Sequence, residues 1–192
     1  MGLLLSPAHG CTEPSDWVQR WSHLIAPGGT VLDVACGSGR HLRWFAERGH
    51  RVTGLDRDEA ALASASAHGT AIASDIENGP WPLTGQTFDA VVVTNYLWRP
   101  LWPQILASVK PGGVLIYETF AHGQASVGRP SRPAFLLQPG ELLRVCADWH
   151  TVAYEHGVLS EPTRFVQRIV AMPSPALDAQ SLECNFPVSK SR

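Results

Sequence analysis

Residues Thr30 to Asp56 read TVLDVACGSGRHLRWFAERGHRVTGLD: a short apolar strand ending in an acid, a glycine-rich turn, an amphipathic helix and a second strand ending in another acid. The first strand is expected over Thr30 to Val34. The helix is expected over Arg40 to Arg48, with Leu42, Phe45 and Ala46 turned inward and Gly49 as its stop. Arg51 to Leu55 is the second strand. A unit of this kind is half of a nucleotide-type binding site, because the turn between strand and helix brings a ligand close to the helix N-terminus.

Working outward from that unit, Ser15 is a plausible N-cap. Trp17, Val18, Trp21, Leu24 and Ile25 then recur at helical spacing until Pro27-Gly28-Gly29. Downstream, Glu59 to Ala67 is an alanine-rich helix closed by His68-Gly69, and Thr70 to Ala73 is a short third strand. Two prolines bracket Trp81, so Gly79 to Pro82 is a loop. Ala90 to Thr94 is an apolar, β-branched strand of the type buried on both faces of a parallel sheet. A helix over Leu101 to Val109 follows, with Lys110 in its last turn and Pro111-Gly112-Gly113 ending it, and then a strand over Val114 to Glu118.

Periodicity dissolves between Thr119 and Gln138, which marks a functional loop or a disordered one. A helix from Pro139-Gly140-Glu141 to Ala147 precedes two last strands, Thr151 to Glu155 and Arg164 to Ala171. The gap between these strands is too short for a crossover, so the second is antiparallel. The expectation is an α/β fold: a three-layer α/β/α sandwich around a mostly parallel seven-stranded sheet with an antiparallel last strand. Residues 1–14 read as an N-terminal arm, 15–171 as the single domain, and 172–192, rich in proline and serine, as a tail.

With 192 residues, 44% hydrophobic and 17% charged, the chain has globular composition and room for one substantial core. A net charge of −2 leaves no basic excess for a phosphate backbone, which disfavours nucleic acid. Cys11, Cys36, Cys146 and Cys184 are scattered without metal-ligand or disulfide spacing, so no metal is expected and reduced thiols in the cytoplasm are. The longest N-terminal apolar run, Leu3 to Leu5, is too short for a signal or membrane segment, although Met1-Gly2 and Ser6 match a loose myristoylation pattern.

Gly37 and Gly39 remove the β-carbons that would block close ligand approach at the turn. Asp56 and Asp75 follow strand ends at the same sheet edge as Asp33 and Asn95, where carboxylates accept ribose hydroxyls and an adenine amine. A dinucleotide is disfavoured because Leu42 stands at the third fingerprint position of GxGxxG. S-adenosylmethionine carries no phosphate but a zwitterionic methionine end and a cationic sulfonium, so Asp33 at the first strand end and a shorter glycine turn suit it better.

These segments resemble the class I, Rossmann-like S-adenosylmethionine-dependent methyltransferases. VLDVACGSGR is similar to motif I, GLDRDEAAL to motif II, SDIENGPWPL to motif III, FDAVVVTNYL to motif IV, and LASVKPGGVLIYET to the helix-turn-strand that follows. The resemblance implies that Asp33, Ala35 and Gly37 line the methionine end, Asp56 binds the ribose, Arg57 covers the adenine face, and Asp75 with Ile76 holds the adenine edge. Gly39 and Asn95 complete the expected cofactor set. One departure from motif I is Arg40, at a position that often carries a third glycine. The segments TNYLWRPLW and YETFAHGQASVGRPSRPAFLLQPGELL resemble a small bacterial branch compared with tellurite- and thiopurine-type enzymes.

The implied activity is methyl transfer by in-line displacement to a small soluble acceptor. Amino-group enzymes of the superfamily commonly follow the fourth strand with an Asn or Asp, two prolines and an aromatic; Asn95-Tyr96-Leu97-Trp98 lacks that proline pair. Candidate catalytic residues are His122, Tyr96 and Arg99. Candidate acceptor-binding residues are Trp98, Arg129, Arg132 and Phe135, which would give aromatic walls and fixed positive charge. Two alternatives stay open. A tRNA or protein methyltransferase would show a basic stripe around Arg40, Arg43, Arg48, Arg51 or Arg129, and a non-catalytic cofactor-binding subunit would show a plugged crevice or an apolar patch at Trp17 and Trp21.

Overall fold

β-Branched and leucine residues make Thr30–Val34 the central strand β1, buried on both faces. The computed structural model describes residues 13–174, so most of the expected arm and all of the tail from 175 onward lie outside the described residues, as do Cys11 and Cys184. Helix α1 (Asp16–Trp21) is capped by Ser15, whose hydroxyl accepts the Trp17 N–H, and one 3-10 turn over Ser22–Leu24 completes the amphipathic run.

After β1 come α2 (Arg40–Ala46), β2 (Arg51–Asp56), α3 (Glu59–Ala65), β3 (Thr70–Ala73) and β4 (Phe88–Thr94). Then follow α4 (Trp102–Ala107), β5 (Val109–Phe120), α5 (Glu141–Val145), β6 (Trp149–Ser160) and β7 (Thr163–Pro173). Met172 and Pro173 thus belong to the last strand, not to a tail.

The strands form one seven-stranded sheet in the order β3-β2-β1-β4-β5-β7-β6. Pairs from β3 to β5 are parallel, while β7 runs antiparallel to both β5 and β6, the expected hairpin geometry. Alternation along β4 supplies both layers. Val91 and Val93 pack with Ile105 of α4 and Leu142 of α5, whereas Ala90 and Val92 pack with Trp17, Phe45 and Leu62 on the other face. Each such fully buried apolar side chain contributes about 1.5–3 kcal/mol.

The expected helix over Leu101 to Val109 is shorter than its sequence suggested, and Val109 and Lys110 belong to β5. Val109 pairs with Phe88, the register then shifts before Ala90 pairs with Val114, and Pro111-Gly112-Gly113 occupies the irregularity. Proline cannot donate to the ladder, and Asp89 supplies the local anchor instead. Its carboxylate accepts from Thr30 N and Oγ1, both at 2.7 Å, and from Lys110 Nζ at 3.0 Å.

The Thr30 hydrogen bonds first, and then Lys110, hold the Asp89 carboxyl at a pKa of about 2, below its ordinary 3.8. A depressed acid stabilises the fold fully above its unfolded pKa and loses that contribution as pH falls through the folded value. Asp89→Asn is therefore expected to cost about 1–2 kcal/mol at neutral pH, discounted for partial exposure. In urea unfolding the wild-type advantage should be constant above about pH 4 and vanish toward pH 2.

Candidate active site

From β1 the chain steps outward to β2 and β3, then returns to the other side of β1 for β4 and β5. The reversal leaves a crevice at the carboxyl ends of β1 and β4, where open α/β sheets bind ligands. The turn over Ala35–Gly39 is pinned to β2: Cys36 N donates to Leu55 O at 2.9 Å and Gly37 N to Asp56 Oδ2 at 2.7 Å. Ala35 takes φ +56°, a left-handed conformation that favours glycine. Ala35 thus carries a β-carbon at a point of the turn where the backbone favours glycine. Arg40 is accommodated at the helix start, its guanidinium reaching Glu13 O at 3.2 Å and Thr94 Oγ1 at 3.3 Å.

Gly39 has a packing role in the fold. A β-carbon there would meet Ala65 Cα and Cβ of α3 at 2.8 Å, and its φ is +82°. Gly39→Ala should cost about 2 kcal/mol in denaturant unfolding, by forcing α2 from α3 and straining the turn. Gly37, also left-handed, has open space around it.

Ala35, Asp56, Arg57, Ser74, Asp75, Ile76, Glu77 and Tyr96 line the crevice, whose volume is about 220 Å³. Five of the nine residues expected at the cofactor therefore meet there. Asp56 Oδ1 accepts from Asp58 N at 2.9 Å, so each carboxylate oxygen already holds one backbone amide and keeps a lone pair toward the crevice. Asp75 caps a turn by accepting from Glu77 N, Asn78 N and Asn78 Nδ2. The Asn78 side chain first, with the two backbone amides and Arg57, holds its carboxyl below the ordinary range.

Sequence reasoning missed Ser74 and Glu77. The signal available was the Asp-x-x-Asn-Gly turn, which folds the residues on either side of Asp75 back over the strand end.

Tyr96 Oη is buried against the crevice without a hydrogen-bond partner. Burial, and next the Glu77 charge, push its hydroxyl above the ordinary value, so it stays protonated. Cys36 is likewise held as a thiol, by burial first and then by Asp33 and Asp56. Neither group is poised as a nucleophile.

Asp33 lies beneath the turn at 1% exposure and does not line the crevice; neither of its oxygens has a hydrogen-bond partner. His41 Nδ1 stands 3.4 Å from Asp33 Oδ2, while His41 Nε2 accepts the Ser15 N–H at 3.1 Å. That second contact places the proton of a neutral imidazole on Nδ1, facing the acid. His41 also escaped the sequence reading, since a lone histidine in a helix carries no distinguishing pattern.

Asn95, at φ +55°, is exposed at the β4 end and donates its N–H to Glu118 O. His122 is exposed on the loop after β5 and borders none of the cavities described here.

Arg99 is a brace. Its guanidinium contacts Glu141 Oε1 at 2.6 Å and Oε2 at 3.0 Å, Ala134 O at 2.7 Å and Leu136 O at 3.0 Å. Trp98 packs against the core. Arg129, Arg132 and Phe135 gather with Phe120 along an outer groove of about 690 Å³.

Of the arginines named for a basic stripe, Arg48 lies 3.0 Å above the Trp44 ring, and Arg43 stands 3.9 Å from Glu13. Trp17 is 1% exposed and makes no surface patch.

The segment from β1 to the Pro-Gly-Gly irregularity, residues 31–113, matches the family model described as a methyltransferase domain.

Malonyl-[acyl-carrier protein] O-methyltransferase of Serratia marcescens is 36% identical over 106 residues, half of this chain and 40% of the relative. Trans-aconitate 2-methyltransferase of Delftia acidovorans is 28% identical over 155 residues, 72% of this chain and 57% of the relative. The chain thus spans about half the length of these curated relatives. The S-adenosylmethionine-dependent methyltransferase from Geobacter sulfurreducens, solved with S-adenosyl-L-homocysteine, superposes with a TM-score of 0.63 at 15% identity, covering 87% of this chain and 95% of that one. At that identity the likeness is one of fold. No helix among the described residues is long and apolar enough to cross a membrane.

Proposed function

We propose that this chain is a cytoplasmic S-adenosylmethionine-dependent methyltransferase acting on a small soluble acceptor. The observation that carries the reading is the crevice at the β1/β4 switch point, where Asp56 and Asp75 converge. Two carboxylates lining one crevice favour a cationic ligand. The residues present therefore fit the cofactor: Asp56 would hold the ribose hydroxyls, Arg57 the adenine face, Asp75 and Ile76 the adenine edge, and Ala35, Gly37 and Asn95 the methionine end. When bound, the cofactor supplies an electrophilic methyl carbon whose transfer leaves the bonding electron pair on sulfur.

The chain contributes alignment and exclusion of water. Tyr96 closes one wall with its hydroxyl protonated, and Glu77 faces it from the turn after β3. Since His122 lies outside the crevice, an acceptor that is already deprotonated suits the site best. The relative named for trans-aconitate acts on a small soluble molecule, which agrees with this reading.

Calorimetric titration of the full chain with S-adenosylmethionine, S-adenosylhomocysteine and a nicotinamide dinucleotide tests the proposal. Binding of the first two is the expected result. Binding of the dinucleotide alone would end it.

A further inference from the structure

A second cavity, of about 540 Å³, lies at the ends of β5, β7 and β6, the half of the sheet that the cofactor crevice leaves free. Its walls include Glu118 of β5, Arg164 and Arg168 of β7, and Arg40 of α2, and the segment Glu13–Asp16 covers it. The size is that of a small-molecule site, roughly 300–1,000 Å³. Arg40 connects it to the crevice: its Nη2 lies 3.3 Å from Thr94 Oγ1 at the end of β4, two residues before Tyr96.

The charges here do not simply cancel in pairs. Arg168 is compensated twice, with Nε 2.6 Å from Glu118 Oε2 and Nη1 3.4 Å from Glu155 Oε2. Glu118 Oε1 accepts in addition from Ser15 Oγ at 3.1 Å. Glu13 turns toward Arg43. Arg40 spends its donors on two neutral oxygens, Glu13 O and Thr94 Oγ1. Arg164 Nε is buried and donates to no acceptor among the described residues.

Two guanidinium groups without a carboxylate therefore face one cavity, and a buried charged donor without a partner is a standing demand for an anion. Asp16 and Glu161, exposed at the rim, repel a polyanion. A planar fork matches a carboxylate in two parallel hydrogen bonds.

We infer that this cavity holds the methyl acceptor, and that the acceptor is a small carboxylate-bearing molecule seated on Arg164 with Arg40 beside it. The inference rests on the methyl-transfer reading above. The acceptor enters from the β5/β7/β6 side and meets the donor across the ends of β1 and β4. The outer groove with Arg129 and Arg132 is then a surface feature and not the anchor.

To test this, the full chain is supplied with S-adenosylmethionine labelled in its methyl group. It is offered a bacterial metabolite extract split into fractions retained and not retained by an anion exchanger. Label is expected in acceptors of the retained fraction. At limiting acceptor, Arg164→Gln should lower uptake about tenfold or more, Arg164→Lys should restore part of it, and affinity for S-adenosylhomocysteine should change by less than about twofold in both.

The inference is overturned if label appears only in the unretained fraction or in no fraction. It is equally overturned if the loss follows Arg129→Gln and Arg132→Gln instead of Arg164→Gln. A wild-type chain that fails to bind S-adenosylhomocysteine would instead refute the methyl-transfer reading itself.

Discussion

Asp56→Ala should weaken S-adenosylhomocysteine binding by about 100-fold or more, because charge-assisted hydrogen bonds to two ribose hydroxyls would disappear together. The structure adds a second consequence. Asp56 Oδ2 is also the acceptor for Gly37 N, so its removal frees the motif I turn at the point where it is tied to β2. The substitution should therefore lower thermal stability as well as affinity. Asp56→Asn separates the two effects, since one oxygen remains to accept the Gly37 amide while the charge is gone. An affinity within about threefold of wild type in the alanine variant would refute the assignment of this carboxylate to the cofactor.

Arg99→Met should destabilise the protein by about 2–4 kcal/mol, and local loosening should be confined to the loop after β5. Three partners lose their donor at once: the Glu141 carboxylate and the carbonyls of Ala134 and Leu136. Burial alone would push Glu141 up; the hydrogen bonds from Arg99 and from Gln138 N–H outweigh it and hold the acid below its ordinary range. Without Arg99 a charge at 9% exposure keeps only the Gln138 amide. Chemical denaturation measures the total, and limited proteolysis between 123 and 138 reads the loop. A change below about 1 kcal/mol would return Arg99 to the list of groups free to act in the crevice.

The strands were the most legible part of the chain because their signals are local. Thr30–Val34 and Thr70–Ala73 have the ends that their composition announced, each being an apolar run closed by glycine or acid. The end of α4 was not legible. Val109 fits a helical pattern as well as it fits a strand, and the decision is made by its pairing with Phe88, twenty-one residues away in the chain.

At the site, residues next to strand ends were found because a parallel sheet gathers its carboxyl ends at one edge. The roles of side chains on turns and helices depend on contacts that no spacing encodes. Arg99 shows this: beside the crevice in sequence, its guanidinium points to Glu141 on α5. His41 and Arg164 show the converse, since each acquires meaning from partners it has, or lacks, in distant segments.

The insertion of β7 between β5 and β6 divides the labour of the fold along the chain. Every residue lining the crevice lies between Ala35 and Tyr96, whereas two of the arginines around the second cavity stand on β7, the last of the described strands in chain order. Until Thr163–Pro173 arrives, β5 has a single neighbour among the described strands and the Glu118 carboxylate lacks the Arg168 guanidinium. On the acceptor assignment proposed above, Arg40 of α2 is the link between the two stretches, and exchange of the β6–β7 hairpin offers a route to a new acceptor that leaves the residues lining the crevice unchanged.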